Sequence, residues 1–567
     1  MDDAFGETVR RRMRSLLPAR ADLAAMGRHP RRDLLAGLTV AIVALPLALG
    51  FGISSGLGAA AGLATAVVAG ALAAVFGGSA LQVTGPTGAM TVVLVPIMHA
   101  HGASGVLMVG LLAGGLLVLL ALARAGRYMA LVPASVIEGF TLGIACVIGL
   151  QQVPAALGVP APSADRVTVA AWQAVQEFLD APHWPALIIA VAVASLMLVG
   201  ARLRPTWPFS LIAVALATVL AELAVLPVAR IGQLPAALPA PSLSFVDPGA
   251  VPGLMAPALA VAALAALESL LSASVADGMS VRHRHDPDRE LLGQGLANLA
   301  APLFGGVPAT GAIARTAVNV RAGASSRLAA LTHAAILAAV VFAAADLVAR
   351  VPLAALAGVL LATCVRMVEV GSLTAMVRST RSDALVLVLT ALATVALDLV
   401  QAVVLGLVVA GAMSLRAIAA SVRLDTVSLR SDLPDDSDQE HALLAEHIVA
   451  YRLDGPLVFA AAHRFLLELT EVADVSVVIL RMSRVTTIDA SGALVLKDAI
   501  TRLEHRAITV LVSGIRDQHH QPLRALGVIT RLDREGRVFA GTPEAITAAR
   551  SLLHADGRLP ASTARDG

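Results

Sequence analysis

Eleven long apolar stretches set the first constraint on this chain: 34–50, 59–76, 105–123, 131–150, 185–201, 207–227, 254–276, 328–348, 351–368, 383–397 and 400–420. Each lies near the ~20 residues that take an α-helix across a bilayer. Hydrophobic residues make up 57% of the sequence and charged residues 14%, with a mean hydropathy of +0.80, outside the range of soluble globular proteins. Three more stretches, 87–100, 291–304 and 308–321, are too short or too interrupted for full spans. Taken as short helices or half-helices, they raise the expectation to fourteen transmembrane segments in a mainly α membrane protein.

Arginine placement orients those segments. With Arg10, Arg11, Arg12, Arg14, Arg31 and Arg32 on the cytoplasmic side, the same topology puts Arg124, Arg127, Arg202, Arg204, Arg282, Arg284, Arg289, Arg321, Arg327, Arg378, Arg381 and Arg416 there too. The outer connections, 99–104, 151–184, 229–253, 346–352 and 398–400, hold only Arg166, Arg230 and Arg350. This positive-inside asymmetry predicts a multi-pass protein of the plasma or inner membrane with both termini in the cytoplasm. Residues 1–30 mix basic and acidic side chains and lack an apolar core with a small-residue cleavage site, so they read as a cytoplasmic lead-in. The 42 basic residues nearly match the 40 acidic ones, so the formal charge of +2 predicts no nucleic-acid partner. Cys146 and Cys364 sit in separate apolar runs and read as small buried hydrophobes, with no disulfide, metal or cofactor expected.

One phrase occurs twice: VTGPTGAMTVV from Val83 to Val93, and GVPATGAIARTAV from Gly306 to Val318. Aligning Thr87-Gly88-Ala89-Met90 with Thr310-Gly311-Ala312-Ile313 makes one half of the membrane domain a repeat of the other. In the topology above the first short helix runs outward and the second inward, so the repeat is inverted. Interrupted helices at matching places in inverted repeats point to a transporter's central binding site. A helix that begins in mid-membrane leaves its first N–H groups unpaired, and its macrodipole makes that end partly positive. Two such ends facing each other suit an anion. Pro86 and Pro308 fit helix starts, the glycines let a ligand approach the backbone, and Thr87 and Thr310 add hydroxyl donors. The bland reading is tight helix packing through small residues.

Charges within the membrane are the next signal. Glu268, in ALAALESLLSASVADGM, sits near the middle of a span, so it should face a partner, an ion or water, or carry a proton. It reads either as a proton carrier or as half of a structural pair with Arg315. Arg315 in turn offsets substrate charge, locks against Glu268, or snorkels to the cytoplasmic face. Ser272, one turn after Glu268 on the same face, lines the same cavity. Glu138 lies closer to its span's start and reads as interfacial or gating.

Together, DLLAGLTVAIVALPLALGFGISSGLGAAAGL, QVTGPTGAM, the run ESLLSASVADGMSVRHRHDPDRELLGQGLANLAAPLFGGVPATGAIARTAVNVRAGASSR and the C-terminal module resemble the SulP family of anion transporters, also called solute carrier family 26. The resemblance covers nearly the whole chain. It implies a 7+7 inverted repeat divided into core and gate domains, a homodimer, and elevator-like movement of the core. It places substrate between the starts of the third and tenth segments, here Thr87 to Met90 and Thr310 to Ile313. Family cargoes include sulfate, bicarbonate, chloride, oxalate and C4-dicarboxylates. Glu268 looks like the bacterial branch that includes proton symporters. Sodium-dependent bicarbonate relatives have aspartate there and threonine one turn later, where this chain has Glu268 and Ser272, which leaves H+ or Na+ as the coupling ion. Ala314 stands where many animal members have serine.

After residue 423 an acidic linker, 424–440, leads to alternating short apolar and helical patterns at 441–555, which indicate an α/β domain. This part resembles a STAS domain, with 556–567 as a disordered tail. Ser491, in TTIDASGALVL, matches the position phosphorylated in anti-sigma-factor antagonists. Asp489, Ser491 and Gly492 also make a good helix start with no regulatory purpose. The expectation is thus a transmembrane domain at 31–423 that carries a small anion, with lipid around it and a cytoplasmic regulator as a candidate partner of the STAS domain. A channel would need no proton carrier. A membrane enzyme would need a nucleophile and base or a metal cluster, and His283 and His285 read as solvated loop residues instead.

Overall fold

The computed structural model describes residues 17–162, 164, 166–204, 207–235, 237–280, 284–397, 399–421, 423–427, 447–458 and 475–557. The chain divides into two compact units, 1–408 and 409–567. The first begins with α1 (Arg20–Met26), α2 (Pro30–Ser54), α3 (Ala59–Phe76), α4 (Gly88–Leu122), α5 (Ala134–Gln151), α6 (Val153–Leu157), α7 (Val167–Asp180), α8 (Trp184–Leu203), α9 (Phe209–Leu223) and α10 (Val251–Met279). There follow α11 (Pro287–Ala300), α12 (Ile313–Arg321), α13 (Leu328–Ala343), α14 (Ala345–Ala349), α15 (Leu353–Met367), α16 (Val370–Ser379), α17 (Arg381–Ala396) and α18 (Leu399–Ser421).

Among the described residues, eight helical stretches are long and apolar enough to cross a membrane, while α9 and α13 are apolar but shorter. Gly102, at φ 66° and ψ −170°, breaks α4 near the point where the sequence places an outer connection. Only glycine takes that backbone conformation without strain. The polar-faced α7, inside the stretch read as an outer connection, is a helix that the apolar pattern did not announce. It buries Ala171, Ala174 and Phe178, and the Phe178 ring meets Trp184 edge-on at 5.5 Å.

Small residues set how closely the helices approach. A Cβ on Gly62 would lie 2.0 Å from the Ala48 carbonyl oxygen, so α2 and α3 pack backbone to backbone. One set of helices, α2, α3, α4, α10, α11, α12 and α13, packs mainly on itself. In the other set α5 lies on α17, and α8 lies on α9 and α15. Within the first set two short strands, β1 (Thr84–Gly85) and β2 (Thr310–Gly311), pair antiparallel.

The second unit is a five-stranded sheet in the order β3 (Arg423–Val427), β4 (Ile448–Leu457), β5 (Val477–Ile488), β6 (Thr509–Ser513) and β7 (Val538–Phe539). β3 is antiparallel to β4 and the other neighbours are parallel. Successive residues of β5 face opposite sides, as the two-residue period requires. Val478, Leu480 and Met482 pack with α19 (Ala490–His505), α20 (Asp517–Ala525) and α21 (Thr530–Arg534), while Val477 and Ile479 pack with α22 (Thr542–Ala555). The linker expected at 424–440 is corrected at its start, where residues 423–427 add an edge strand to the sheet. The remainder of that linker, the helix expected around 461–473 and the tail from 558 onward lie outside the described residues.

Candidate binding site

The repeated phrases meet, in a register different from the one their letters suggest. Thr310-Gly311 pairs with Thr84-Gly85, Thr84 facing Gly311 and Gly85 facing Thr310. Thr87 is instead the N-cap of α4, its Oγ1 accepting from Met90 N at 3.4 Å. α12 starts two residues after Gly311, with Ala312 as its N-cap. Pro86 therefore precedes a cap and Pro308 precedes a strand, and neither occupies a first helical turn.

The first ladder bonds of the two helices are Thr91 N to Thr87 O at 3.1 Å and Thr316 N to Ala312 O at 2.9 Å. The amides of Gly88 and Ala89, and those of Ile313, Ala314 and Arg315, thus head their helices without intrahelical acceptors. Gly88, Ala89, Met90 and Ala312 are buried, whereas Ile313 and Ala314 are exposed, so the site opens on the α12 side. A Cβ on Gly311 would stand 1.8 Å from Gln82 Nε2, and one on Gly88 would stand 2.2 Å from Ile148 Cδ1. Gly311 is the tighter of the two, since its Cβ would also stand 3.1 Å from the Ser269 Cα, while at Gly88 the end of the Ile148 side chain would have to move.

α10 runs past both heads. Half-buried Glu268 accepts a hydrogen bond from Thr87 Oγ1 at 2.9 Å. Its neighbour Ser269, which sequence reasoning missed, accepts from Gly311 N at 2.9 Å and lies 3.2 Å from Thr310 Oγ1. One turn on, Ser272 is buried and donates to Thr316 Oγ1 at 2.9 Å, a hydroxyl that also accepts from Val83 N at 3.0 Å. Arg315 is 2% exposed, and its Nη2 donates to the Pro86 carbonyl. That burial contradicts snorkelling to the surface. Its Nη1 is buried with no hydrogen-bond partner among the described residues, and Glu268 lies close enough to act on the guanidinium by charge.

A second buried network supports β1. Glu290, 1% exposed, accepts from Gly78 N (2.9 Å) and Ser79 N (3.0 Å) on one oxygen, and from Gln82 Nε2 (2.8 Å) and Gln294 Nε2 (2.9 Å) on the other. Gln294 Nε2 also donates to Thr84 Oγ1 at 2.7 Å, and Asn298 holds Ala309 through both its carbonyl and its amide at 2.8 Å. Glu290, Gln294 and Asn298 recur every four residues, a polar stripe on one face of α11. That stripe was the available signal, and it passed unread because its first member belongs to a charged loop-like PDRE.

The other candidates lie apart from the heads. Glu138 accepts from Ser372 at 2.8 Å. His285 is tied to Asp277 at 2.8 Å, which corrects the solvated reading, and His283 lies outside the described residues. Ser491 is exposed in the first turn of α19, where Asp489 caps the helix by accepting from Gly492 N at 2.7 Å. Cys364 is buried but Cys146 is exposed, which corrects the reading of the latter as a buried hydrophobe.

Two helix heads joined by an antiparallel strand pair inside an apolar helical unit, in one chain with an α/β domain, define a membrane protein with interrupted helices. Residues 31–390 match the sulfate permease family and residues 442–544 the STAS domain, and the chain belongs to the sulfate permease family. It is 33% identical over 518 residues to YvdB of Bacillus subtilis (strain 168), a protein with a provisional sulfate-transporter name, covering 89% of this chain and 95% of that one. It is 30% identical over 525 residues to the bicarbonate transporter BicA of a Picosynechococcus species, covering 89% of this chain and 92% of that one. In fold it is similar to the murine solute carrier 26 family member A9 anion transporter, solved in the inward-facing state, with a TM-score of 0.83 at 17% identity over 95% of this chain and 94% of that chain.

Proposed function

We propose that this protein is a secondary active transporter that holds a small anion between the heads of α4 and α12 and couples its passage to protons through Glu268. The observation that carries this reading is the position of Glu268, which lies half-buried at the head of α4 with the hydroxyl of Thr87 as its hydrogen-bond donor. A carboxyl group met by hydroxyls and one arginine beside an anion site is suited to take up a proton as the anion enters, so that the pair crosses with less net charge. Arg315 Nη1 and the amides at the two heads supply the positive side of the site. Ser272 contributes by holding the head of α12 through Thr316.

The substrate class is C4-dicarboxylate, sulfate or bicarbonate, the last two in keeping with the names of the relatives. Divided at Gly102, α4 supplies two segments, and with α2, α3, α5, α8 and α9 it makes seven. α10, α11, α12, α13, α15, α17 and α18 make a second seven, and the antiparallel β1–β2 pair supports their inverted relation. The first set of helices would then be an elevator core moving against a gate. Homodimer assembly, cytoplasmic termini in the inner membrane and a regulatory role for residues 441–555 belong to the same reading. So do a membrane domain bounded by 31 and 423 and an undisturbed lipid annulus. Catalysis has no part in it.

A sodium-coupled bicarbonate symporter is the second reading, favoured by the oxygen-rich surroundings of Glu268, where the hydroxyls of Thr87, Ser269 and Thr310 are close at hand. An anion exchanger or channel needs neither cation. Uptake of labelled fumarate, sulfate and bicarbonate into proteoliposomes, with and without a proton gradient or sodium, separates these. Proton-stimulated uptake of one anion, abolished in Glu268→Gln with anion binding intact, is the expected result. Uptake that ignores the proton gradient, or a Glu268→Gln variant that keeps proton-driven uptake, overturns it.

A further inference from the structure

Beside residues 78–80, which lead toward β1, lies a polar cavity of about 240 Å³ that the transport reading leaves unused. Arg284, Arg289 and Arg327 line it together with Asp22, Asp277 and Asp286. Two of these acids have local duties. Asp277 accepts from His285 N at 3.1 Å and pairs with its ring at 2.8 Å, and Asp286 caps α11 by accepting from Asp288 N and Arg289 N at 3.0 and 3.1 Å.

Asp22 reaches in from α1 and fills a different place. Its Oδ2 accepts from Arg289 Nη2 at 2.6 Å, and its Oδ1 lies 3.4 Å from Arg327 Nε. Burial alone would raise its pKa, but hydrogen bonds from Arg289 and the Ala19 amide and the charges of Arg327 and Arg289 hold it below the ordinary value of 3.8. Asp22 is therefore a carboxylate across the physiological range. Arg327 is 3% exposed and also donates to the carbonyls of Ala74 at 3.1 Å and Ser79 at 3.4 Å. Arg289 Nε is buried with no hydrogen-bond partner, and among the described residues Arg284 has none either.

The charge balance of this cavity depends on α1. Three arginines face three aspartates while α1 is seated. Lifting α1 withdraws one carboxylate from two poorly solvated guanidinium groups and leaves Arg327 with only the more distant charge of Glu290 and its two carbonyl acceptors, a costly state. An anion with two oxygens able to accept from paired guanidinium groups restores the balance, because such forks match carboxylate and oxyanion geometry.

We infer that this cavity is a second anion-binding site in which Asp22 is a tethered occupant, exchanged for a small carboxylate or oxyanion that takes Arg289 and Arg327 in its place. Ser79 links it to the transport site, since its carbonyl receives Arg327 while its amide donates to Glu290, the carboxylate that supports Gln82 and Gln294 behind β1. Exchange of Asp22 therefore acts on the segment that leads into the strand pair. Only the choice of probe anions rests on the proposed transport function.

The test is equilibrium binding of labelled sulfate, fumarate and bicarbonate to the full-length protein in nanodiscs. Asp22→Asn should bind one more equivalent per chain than wild type for at least one of these anions, or bind it about tenfold more tightly, since the competing tethered carboxylate is gone. Adding Arg289→Gln should cancel the gain. Unchanged stoichiometry and affinity in Asp22→Asn for all three anions overturns the inference. A misfolded variant does not stall the test, because in wild type the amides of residues 20–26 should exchange hydrogen faster as the anion is raised. Exchange that stays constant to saturation overturns it equally. A Gly311→Ala change in the Asp22→Asn background should remove the central equivalent and spare the second. Loss of neither equivalent there sinks the central-site reading and leaves this one standing.

Discussion

Glu268 and Glu290 belong to the same set of helices, and each carries a carboxylate into the interior, yet they are held in opposite ways. Glu290 receives four hydrogen bonds, two from backbone amides and two from glutamine side chains. Glu268 is met by the hydroxyls of Thr87 and Thr310 and by the charge of Arg315, takes no backbone amide among the described residues, and keeps partial exposure. A carboxylate that accepts several charge-assisted bonds is fixed in one state and fastens what surrounds it. A carboxylate held by hydroxyls, which can themselves turn, is less firmly fixed in one state. The contrast separates an acid fixed into the fold from one suited to the coupling role proposed above.

Removing each acid is the strongest way to break that contrast. Glu290→Ala takes the acceptor from Gly78 N, Ser79 N and Gln82 Nε2, while Gln294 Nε2 keeps Thr84 Oγ1, and a loss of about 3–5 kcal/mol is expected by analogy with broken buried charge networks. Thermal unfolding in detergent should show it as a large fall in midpoint or as failure to recover folded protein. Glu268→Gln should change the same midpoint by less than about 1 kcal/mol, the scale of one exchanged hydrogen bond, while abolishing coupling. Equal destabilisation by the two changes would erase the distinction.

Gly311→Ala tests the strand pair that lies between the two acids. Its Cβ would press on Gln82 Nε2, a group held by Glu290, and on Ser269, the neighbour of Glu268. Overpacking of this kind costs about 1–3 kcal/mol, so uptake should fall by roughly 10- to 100-fold while the protein remains folded. Uptake at the wild-type rate would show that the head of α12 tolerates displacement and does not shape the site.

The long helices and the break at Gly102 were legible because length and apolarity are local properties. The site was legible only in part. Two TGA triplets marked the right segments, but strand pairing joins Thr84-Gly85 to Thr310-Gly311, and register between distant segments has no local signature. Ser269 and Thr316 resemble any small polar residue in a helix until the fold brings Gly311 and Ser272 to them. Glu290 stood in a charged run at a helix start, where glutamate is common for reasons of capping alone. α7 was missed since its polar face reads as loop.

The smallest effects sharpen the comparison most, because Ser269 and Ser272 lie one turn apart on α10 and serve different partners. Ser269→Ala removes the acceptor of the Gly311 amide and leaves a buried donor unpaired, a loss of about 1–3 kcal/mol. Its expected mark is anion affinity weakened roughly fivefold or more, since that amide adjoins the head of α12. Ser272→Ala removes a donor from Thr316 Oγ1, which keeps its hydrogen bond from Val83 N, so no buried group is stranded and the cost should stay near 0.5–1.5 kcal/mol. Affinity should then shift no more than about threefold, and the dependence on protons or sodium should be unchanged. A selective change in that cation dependence in Ser272→Ala would place Ser272 beside Glu268 in the coupling step and move the boundary between structural and coupling groups one turn along α10.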